Sequence, residues 1–258
     1  MGVQNASLLL AFYGDDFTGS TDALEFMSRA GARTVLFIEP PTARQLAQYE
    51  GLQAIGVAGL SRSLSPAAME QELAPAFEAL RGLNSRHVHY KVCSTFDSSP
   101  TIGSIGKALE IGAEVLDSEW IPLLVAAPAL GRYCTFGNLF ARMGIGSQGV
   151  IHRLDRHPSM RTHPVTPAHE SDLRLHLAQQ TKRTTGLLDI LQLAKPDVSE
   201  KLQQIVREGF QNVLFDALSE EQMPVLGRLM DEEVKNGKPL FSVGSSGVEM
   251  ALGLYWQD

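Results

Sequence analysis

The chain is poor in cysteine, poor in aromatics and free of long apolar runs. Two cysteines in 258 residues, Cys93 and Cys134, make neither a disulfide framework nor a cysteine zinc site, and they suit a reducing compartment. No apolar stretch approaches the roughly 18 residues that a membrane-crossing helix needs. The opening MGVQNASLLLAF has no basic segment ahead of its apolar one, and Asp15 and Asp16 close it early. Ala6 stands where a myristoylation signal requires Ser or Thr. Positive charge is in deficit, with 22 Lys and Arg against 29 Asp and Glu and a formal net charge of −7. That balance argues against indiscriminate nucleic-acid binding, which needs basic charge to displace counterions. It leaves anionic small molecules open, since local fields decide those. The chain reads as a cytoplasmic protein with no nucleic-acid partner and no membrane partner.

What is present is ordinary globular composition, 44% hydrophobic and 20% charged. The length suits one large domain or two small ones at about 150 residues each. Short apolar runs alternate with amphipathic stretches of helix length. Strands are expected over Ser7–Tyr13, Arg33–Ile38, Leu52–Ala58, His87–Val92, Ile121–Ala126, Gly186–Leu191, Asn212–Phe215 and Leu240–Val243. Helices are expected over Ser20–Ala30, Pro66–Leu80 and Thr101–Gly112. The alternation predicts a single α/β domain over residues 1–258, three-layered, with a mainly parallel sheet and helices on both faces. Ligands of such sheets gather at the carboxyl ends of the strands. Residues 127–167, rich in proline, glycine and polar residues, break the rhythm; a loop so long is either functional or conceals structure.

The chemistry-bearing residues sit where that rule places a site. YGDDFTGSTDA puts Asp15, Asp16, Thr18 and Gly19 between the first strand and its helix. One Asp would serve as a cap; two beside a helix start suggest a carboxylate poised to take a proton from a hydroxyl. Haloacid-dehalogenase phosphatases need a second Asp two residues after the first, and Phe17 and Thr18 occupy those positions instead. AGLSRSLSP supplies Ser61 and Arg62, the latter able to grip a carboxylate or phosphate. YKVCSTFDSSPTIGSIGKA supplies Lys91, Ser94, Thr95 and Asp97, a set suited to a polyhydroxylated acid. Cys93 lacks an activating base beside it and reads as a small packed residue. Arg132, in APALGRYCTF, is a further anion contact. Five of the seven histidines fall between His152 and His176, with no metal-ligand spacing, so no metal site is assigned. GIGSQG, Gly144–Gly149, has the letters of a dinucleotide fingerprint but reads as following a helix and preceding a strand, the reverse of the required order. VGSSGVEMA does run from strand to helix, and its Gly244, Ser245, Ser246 and Gly247 could face a phosphate, without a Walker lysine.

Together these motifs resemble the four-carbon acid sugar kinase family. Asp15-Asp16-x-Thr18-Gly19, Lys91-Val92-x-Ser94-Thr95, Gly131-Arg132, HPVTPAHESDL and the Gly-Ser-Ser-Gly turn occur in the family's order from about residue 8 to residue 254. In some branches Asp follows Lys-Val, where this chain has Cys93. The resemblance implies the substrate-binding half of an ATP-dependent kinase that phosphorylates a hydroxyl of threonate, erythronate, 3-oxo-tetronate or a related oxo acid. It implies Asp16, with Asp15 or Asp97 as rival, beside the accepting hydroxyl, and Thr18, Ser61, Arg62, Lys91, Ser94, Thr95, Asp97 and Arg132 around the acid. It further implies that ATP and Mg2+ are held mainly by a C-terminal nucleotide-binding domain, in cis or trans, absent from this chain. The alternatives are a stand-alone sugar-acid-binding module and an ATP-independent hydrolase or isomerase.

Overall fold

The computed structural model describes residues 8–144, 148–235 and 237–257. The first half runs β1 (Leu10–Gly14), α1 (Phe17–Arg29), β2 (Thr34–Phe37), α2 (Ala43–Leu46), β3 (Ala54–Ala58), α3 (Pro66–Gly82), β4 (His87–Lys91), α4 (Ile105–Val115) and β5 (Ile121–Leu124). A three-stranded antiparallel ribbon follows, β6 (Arg132–Thr135), β7 (Asn138–Arg142) and β8 (Ile151–Arg153), and then the short helices α5 (Pro158–Arg161) and α6 (Leu173–Ala178). The chain then adds β9 (Thr185–Leu188), α7 (Ile190–Leu193), α8 (Val198–Arg207), β10 (Asn212–Phe215), α9 (Met223–Glu232), β11 (Leu240–Gly244) and α10 (Gly247–Gln257). Eight strands form one parallel sheet in the order β2-β3-β1-β4-β11-β5-β10-β9. This is the expected α/β architecture. No helix of the described residues is long and apolar enough to cross a membrane.

The differences from expectation have local causes. Helix α1 starts three residues early because the Asp16 carboxylate accepts the Gly19 N–H at 2.7 Å and caps it. Helix α4 starts four residues late, at the Ser104 cap, whose hydroxyl accepts the Lys107 N–H at 3.1 Å. The run expected over Gly186–Leu191 ends as a strand at Leu188, where Asp189 caps α7. The stretch before GIGSQG is a strand, not a helix: β7 pairs with β6 and β8, and its side chains alternate between buried and half-buried. Residues 145–147 of that motif, and Ser7 of the first expected strand, lie outside the described residues.

Strand β4, HVHYK, shows how the layers are made. Successive side chains of a strand point to opposite faces. Val88 and Tyr90 belong to the α3 side, where the Tyr90 ring meets Phe77 edge-on at 5.8 Å. His87 and His89 belong to the opposite side, facing Asp231 of α9 and Glu249 of α10. Such alternation often marks one face as solvated, yet all five residues are buried. The polar face is covered because acidic residues of the helices meet it. His89 Nε2 lies 3.2 Å from the Gly244 carbonyl, which can only accept, so Nε2 carries a proton. Its Nδ1 lies 2.7 Å from the fully buried Glu249.

That pairing is testable. Glu249→Gln keeps a hydrogen-bonding partner for Nδ1, since an amide can donate or accept, and should stay within about 1 kcal/mol of the parent. Glu249→Leu strands a buried imidazole nitrogen and should cost about 3 kcal/mol. Urea unfolding followed by circular dichroism measures both; equal stability of the two variants would refute the pairing.

Candidate functional site

Strand β1 lies between β3 and β4, so the chain winds to one side of it first and the other side later. The carboxyl ends of β1 and β4 therefore flank a switch point, where an open sheet leaves a crevice. Gly14, Lys91 and Gly244 stand in register across β1, β4 and β11, so the loops after these strands emerge together. Those after β3 and β5 flank them.

A closed ion cluster occupies the β1 side. Arg62, from the loop after β3, lays Nε and Nη2 side-on against Asp15, at 3.0 and 2.6 Å. Its Nη1 reaches Asp16 Oδ2 at 2.7 Å. Burial works against the Arg62 charge, but Asp15 outweighs it and the pKa is raised. Lys91 is buried as well; its Nζ donates to the Val92 carbonyl at 3.0 Å, and its charge acts on both Asp15 and Asp22. Asp15 is 2% exposed, whereas Asp16 is half-buried and Thr18 exposed. Ser61 is buried and spends its hydroxyl on Tyr90 at 2.9 Å.

Arg132, the first residue of β6, is built differently. Its Nη1 donates to the carbonyls of Leu130, Gly131 and Arg142 at 3.1, 3.3 and 3.2 Å. Its Nε is buried with no partner. The three carbonyls hold the guanidinium still by Nη1 and leave its Nε unpaired, on the edge that Asp15 fills on Arg62. The residue is only 7% exposed; burial lowers its pKa, while Cys93 and Asp97 pull it back up, so the open group faces the loop after β4. In that loop Cys93 and Thr95 are 2.9 Å apart, Ser94 is half-buried, and Asp97 Oδ1 is buried without a partner. Burial pushes the Cys93 thiol up, against a thiolate role. An immobilised fork and an unpaired carboxylate oxygen can bind an acid that also carries hydroxyls.

The turn Gly244–Gly247 lies inside the molecule rather than open to the crevice. Side chains on Gly244 or Gly247 would fall 2.0 Å from the carbonyls of Leu124 and Ala126. The Ser245 hydroxyl donates to the Val125 carbonyl at 2.8 Å, and the Ser246 hydroxyl donates to Asp22. The turn packs α10 against the end of β5, with its hydroxyls committed within the chain.

Sequence reasoning missed three participants. Asp22 joins the cluster through Ser246, 224 positions away, and burial raises its pKa. Asp216 accepts the N–H groups of Phe136, Gly137 and Ile190 at 2.6, 3.0 and 3.1 Å, fixing the ribbon that carries Arg132. His176 hydrogen-bonds Ser98 at 2.8 Å. The histidine-rich segment was the only signal for the last, and it suggested metals. His157 and His163 instead accept backbone N–H groups near their own positions.

Comparison with known proteins places this geometry in a family. Residues 10–252 match the model of the sugar-binding N-terminal domain. A 3-oxo-isoapionate kinase of Paraburkholderia graminis is 47% identical over 252 residues, covering 98% of this chain and 52% of the relative. A 3-oxo-tetronate kinase of Pseudomonas savastanoi pv. phaseolicola is 34% identical over 256 residues, covering 98% and 55%. The chain thus spans about half the length of the curated relatives it matches. A solved structure from Salmonella typhimurium superposes with a TM-score of 0.85 at 27% identity, covering 97% of this chain and 56% of that one. One from Haemophilus influenzae, at 23% identity and a TM-score of 0.81, shares the fold, covering 96% and 56%. The chain belongs to the sugar-binding N-terminal domains of the four-carbon acid sugar kinase family.

Proposed function

We propose that this chain is the substrate-binding half of an ATP-dependent kinase that phosphorylates a hydroxyl of a small sugar acid. The observation that carries the reading is the immobilised guanidinium of Arg132 with its Nε unpaired, beside a loop after β4 that also carries an unpaired Asp97 oxygen. The acid's carboxylate docks side-on to Arg132 Nε and Nη2. Lys91 supplies a buried positive field, and Ser94, Thr95 and Asp97 meet the hydroxyls. Asp16 takes the proton of the accepting hydroxyl. Arg62 is a positioning residue, three of its five N–H donors engaged by Asp15 and Asp16. The names of the relatives favour 3-oxo acids of four or more carbons.

This chain's own residues do not fit a nucleotide. The Gly244–Gly247 turn is buried with its hydroxyls engaged, and the described residues contain no group of three metal-ligating side chains. ATP and Mg2+ are therefore assigned to a second domain, in cis or trans, of the kind the longer relatives have room for. Phosphoryl transfer asks mostly for positioning and charge stabilisation, which is what this half offers.

The test pairs calorimetric binding of four-carbon acids by this chain with ATP-dependent phosphorylation of the same acids by a two-domain form. Saturable binding and ATP-dependent turnover support the kinase. Binding without phosphotransfer identifies a stand-alone binding module, and turnover by this chain without ATP an ATP-independent hydrolase or isomerase. In the two-domain form, Asp16→Asn should lower turnover by about 10²–10⁴-fold. The fold should survive, since Asn caps a helix as well as Asp does; near-normal turnover would remove Asp16 from the role. Arg132→Lys should weaken acid binding by about 10-fold or more, because an ammonium lacks the fork. Unchanged affinity in the same titration would place the carboxylate elsewhere.

A further inference from the structure

Between the loop after β4 and the segment from 154 to 176 lies a small cavity whose lining includes Thr95, Asp97, Ser98, Glu170 and His176. A hydrogen-bond network fixes its polarity. Gln180 Oε1 accepts the Gly106 N–H at 3.2 Å and the Ser104 hydroxyl at 3.3 Å. A backbone N–H needs an acceptor, so the orientation of this amide is set. The amide nitrogen then points at Ser98 Oγ, 3.0 Å away, and at His176 Nε2, 2.9 Å away. An amide nitrogen cannot accept, so His176 Nε2 is the acceptor and the ring proton sits on Nδ1. Burial lowers the pKa of His176, against the opposing pull of Glu170 and Asp97, in keeping with a neutral ring. Nδ1 makes no hydrogen bond among the described residues, and Asp97 Oδ1 is buried and unpartnered.

Two residues that line the cavity thus carry one idle acceptor and one idle donor. A hydroxyl is the small group that donates and accepts at once. Two carboxylates line the cavity, and no Lys or Arg is among its described lining residues. We infer that this cavity is a hydroxyl subsite: Asp97 accepts from, and His176 Nδ1–H donates to, one neutral hydroxyl of the ligand, and a second carboxylate is excluded. The inference rests on the sugar-acid reading, with the ligand's single carboxylate on Arg132. It makes His176 and Asp97 specificity-determining residues, choosing polyhydroxylated monocarboxylates over dicarboxylates of the same carbon count.

The test is calorimetric titration of this chain with threonate, erythronate, analogues each lacking one hydroxyl, and tartrate as the dicarboxylate. For the parent acid that binds, one deoxy analogue should bind about tenfold more weakly, the effect of losing one such hydrogen-bonded group. Tartrate should be weaker still. Asp97→Asn and His176→Phe should each shrink the parent-to-deoxy ratio to about twofold, a readout that general loosening of the fold would not give. Asp97→Asn should also gain tartrate affinity while its melting temperature holds. If Asp97→Asn and His176→Phe weaken parent and deoxy acids by the same factor, or if tartrate binds the unaltered chain as tightly as the parent acid, the subsite is wrong and the sugar-acid reading stands. If no four-carbon acid binds saturably, that reading falls and the subsite falls with it.

Discussion

Two adjacent carboxylates at the end of a buried strand cannot be taken out of water without a cation, and Arg62 is that cation. Asp15 is 2% exposed and held by two guanidinium nitrogens; leaving it unpaired would cost several kcal/mol, on the order of 3–5. The third guanidinium nitrogen takes Asp16, whose other oxygen caps α1. One arginine thus ties the loop after β3 to the start of α1 and fixes where the carboxylates stand. Three of its five N–H groups are committed in doing so, including the whole Nε–Nη2 edge. Arg132 differs in that its Nε meets no carboxylate.

The polar interior continues along β4. His89 joins Glu249 to the Gly244 carbonyl, and the same carbonyl accepts the Val92 N–H at 2.7 Å. The turn after β11 and the loop after β4 are therefore held by one oxygen. The loop carrying Cys93, Ser94, Thr95 and Asp97 hangs from a frame anchored deep in the sheet. A rigid frame under a polar loop is what precise placement of a small, flexible acid demands.

Much of this was legible in the sequence, and the losses have a common cause. Strands β1, β3, β4, β5, β10 and β11 announce themselves because parallel strands buried on both faces read as compact apolar or alternating runs. Asp15, Asp16, Lys91 and Arg132 drew notice because strand-end loops of such sheets are few, and the structure sets the first three within one ion cluster. Of the ribbon β6–β8 only β8 was expected, as the strand after GIGSQG; β6 and β7 were not found. Its strands are short, and NLFAR fits a helix as well as a strand until its partners are known. The fates of Ser61 and Ser246 were hidden for a related reason: Tyr90 and Asp22 lie 29 and 224 positions away. A hydroxyl in a loop looks available until its distant acceptor is seen. Arg62 and Arg132 are alike as letters, yet the structure spends the fork of one and spares that of the other.

The same contrast separates the two carboxylates. Both oxygens of Asp15 face the fork of Arg62 in a space closed to solvent. A ligand hydroxyl would have to displace an arginine to reach them. Asp16 also holds two hydrogen bonds, but each comes from a single donor, and the residue is half-buried rather than enclosed. A carboxylate offers about four lone-pair sites, so Asp16 keeps capacity to accept a hydroxyl proton without breaking its cap or its ion pair. Its neighbour serves by holding Arg62 in place, and Arg62 in turn aims Asp16. The pair Asp15-Asp16 is thus one device with divided labour: the buried member fixes the cation, and the outer member keeps acceptor capacity toward solvent.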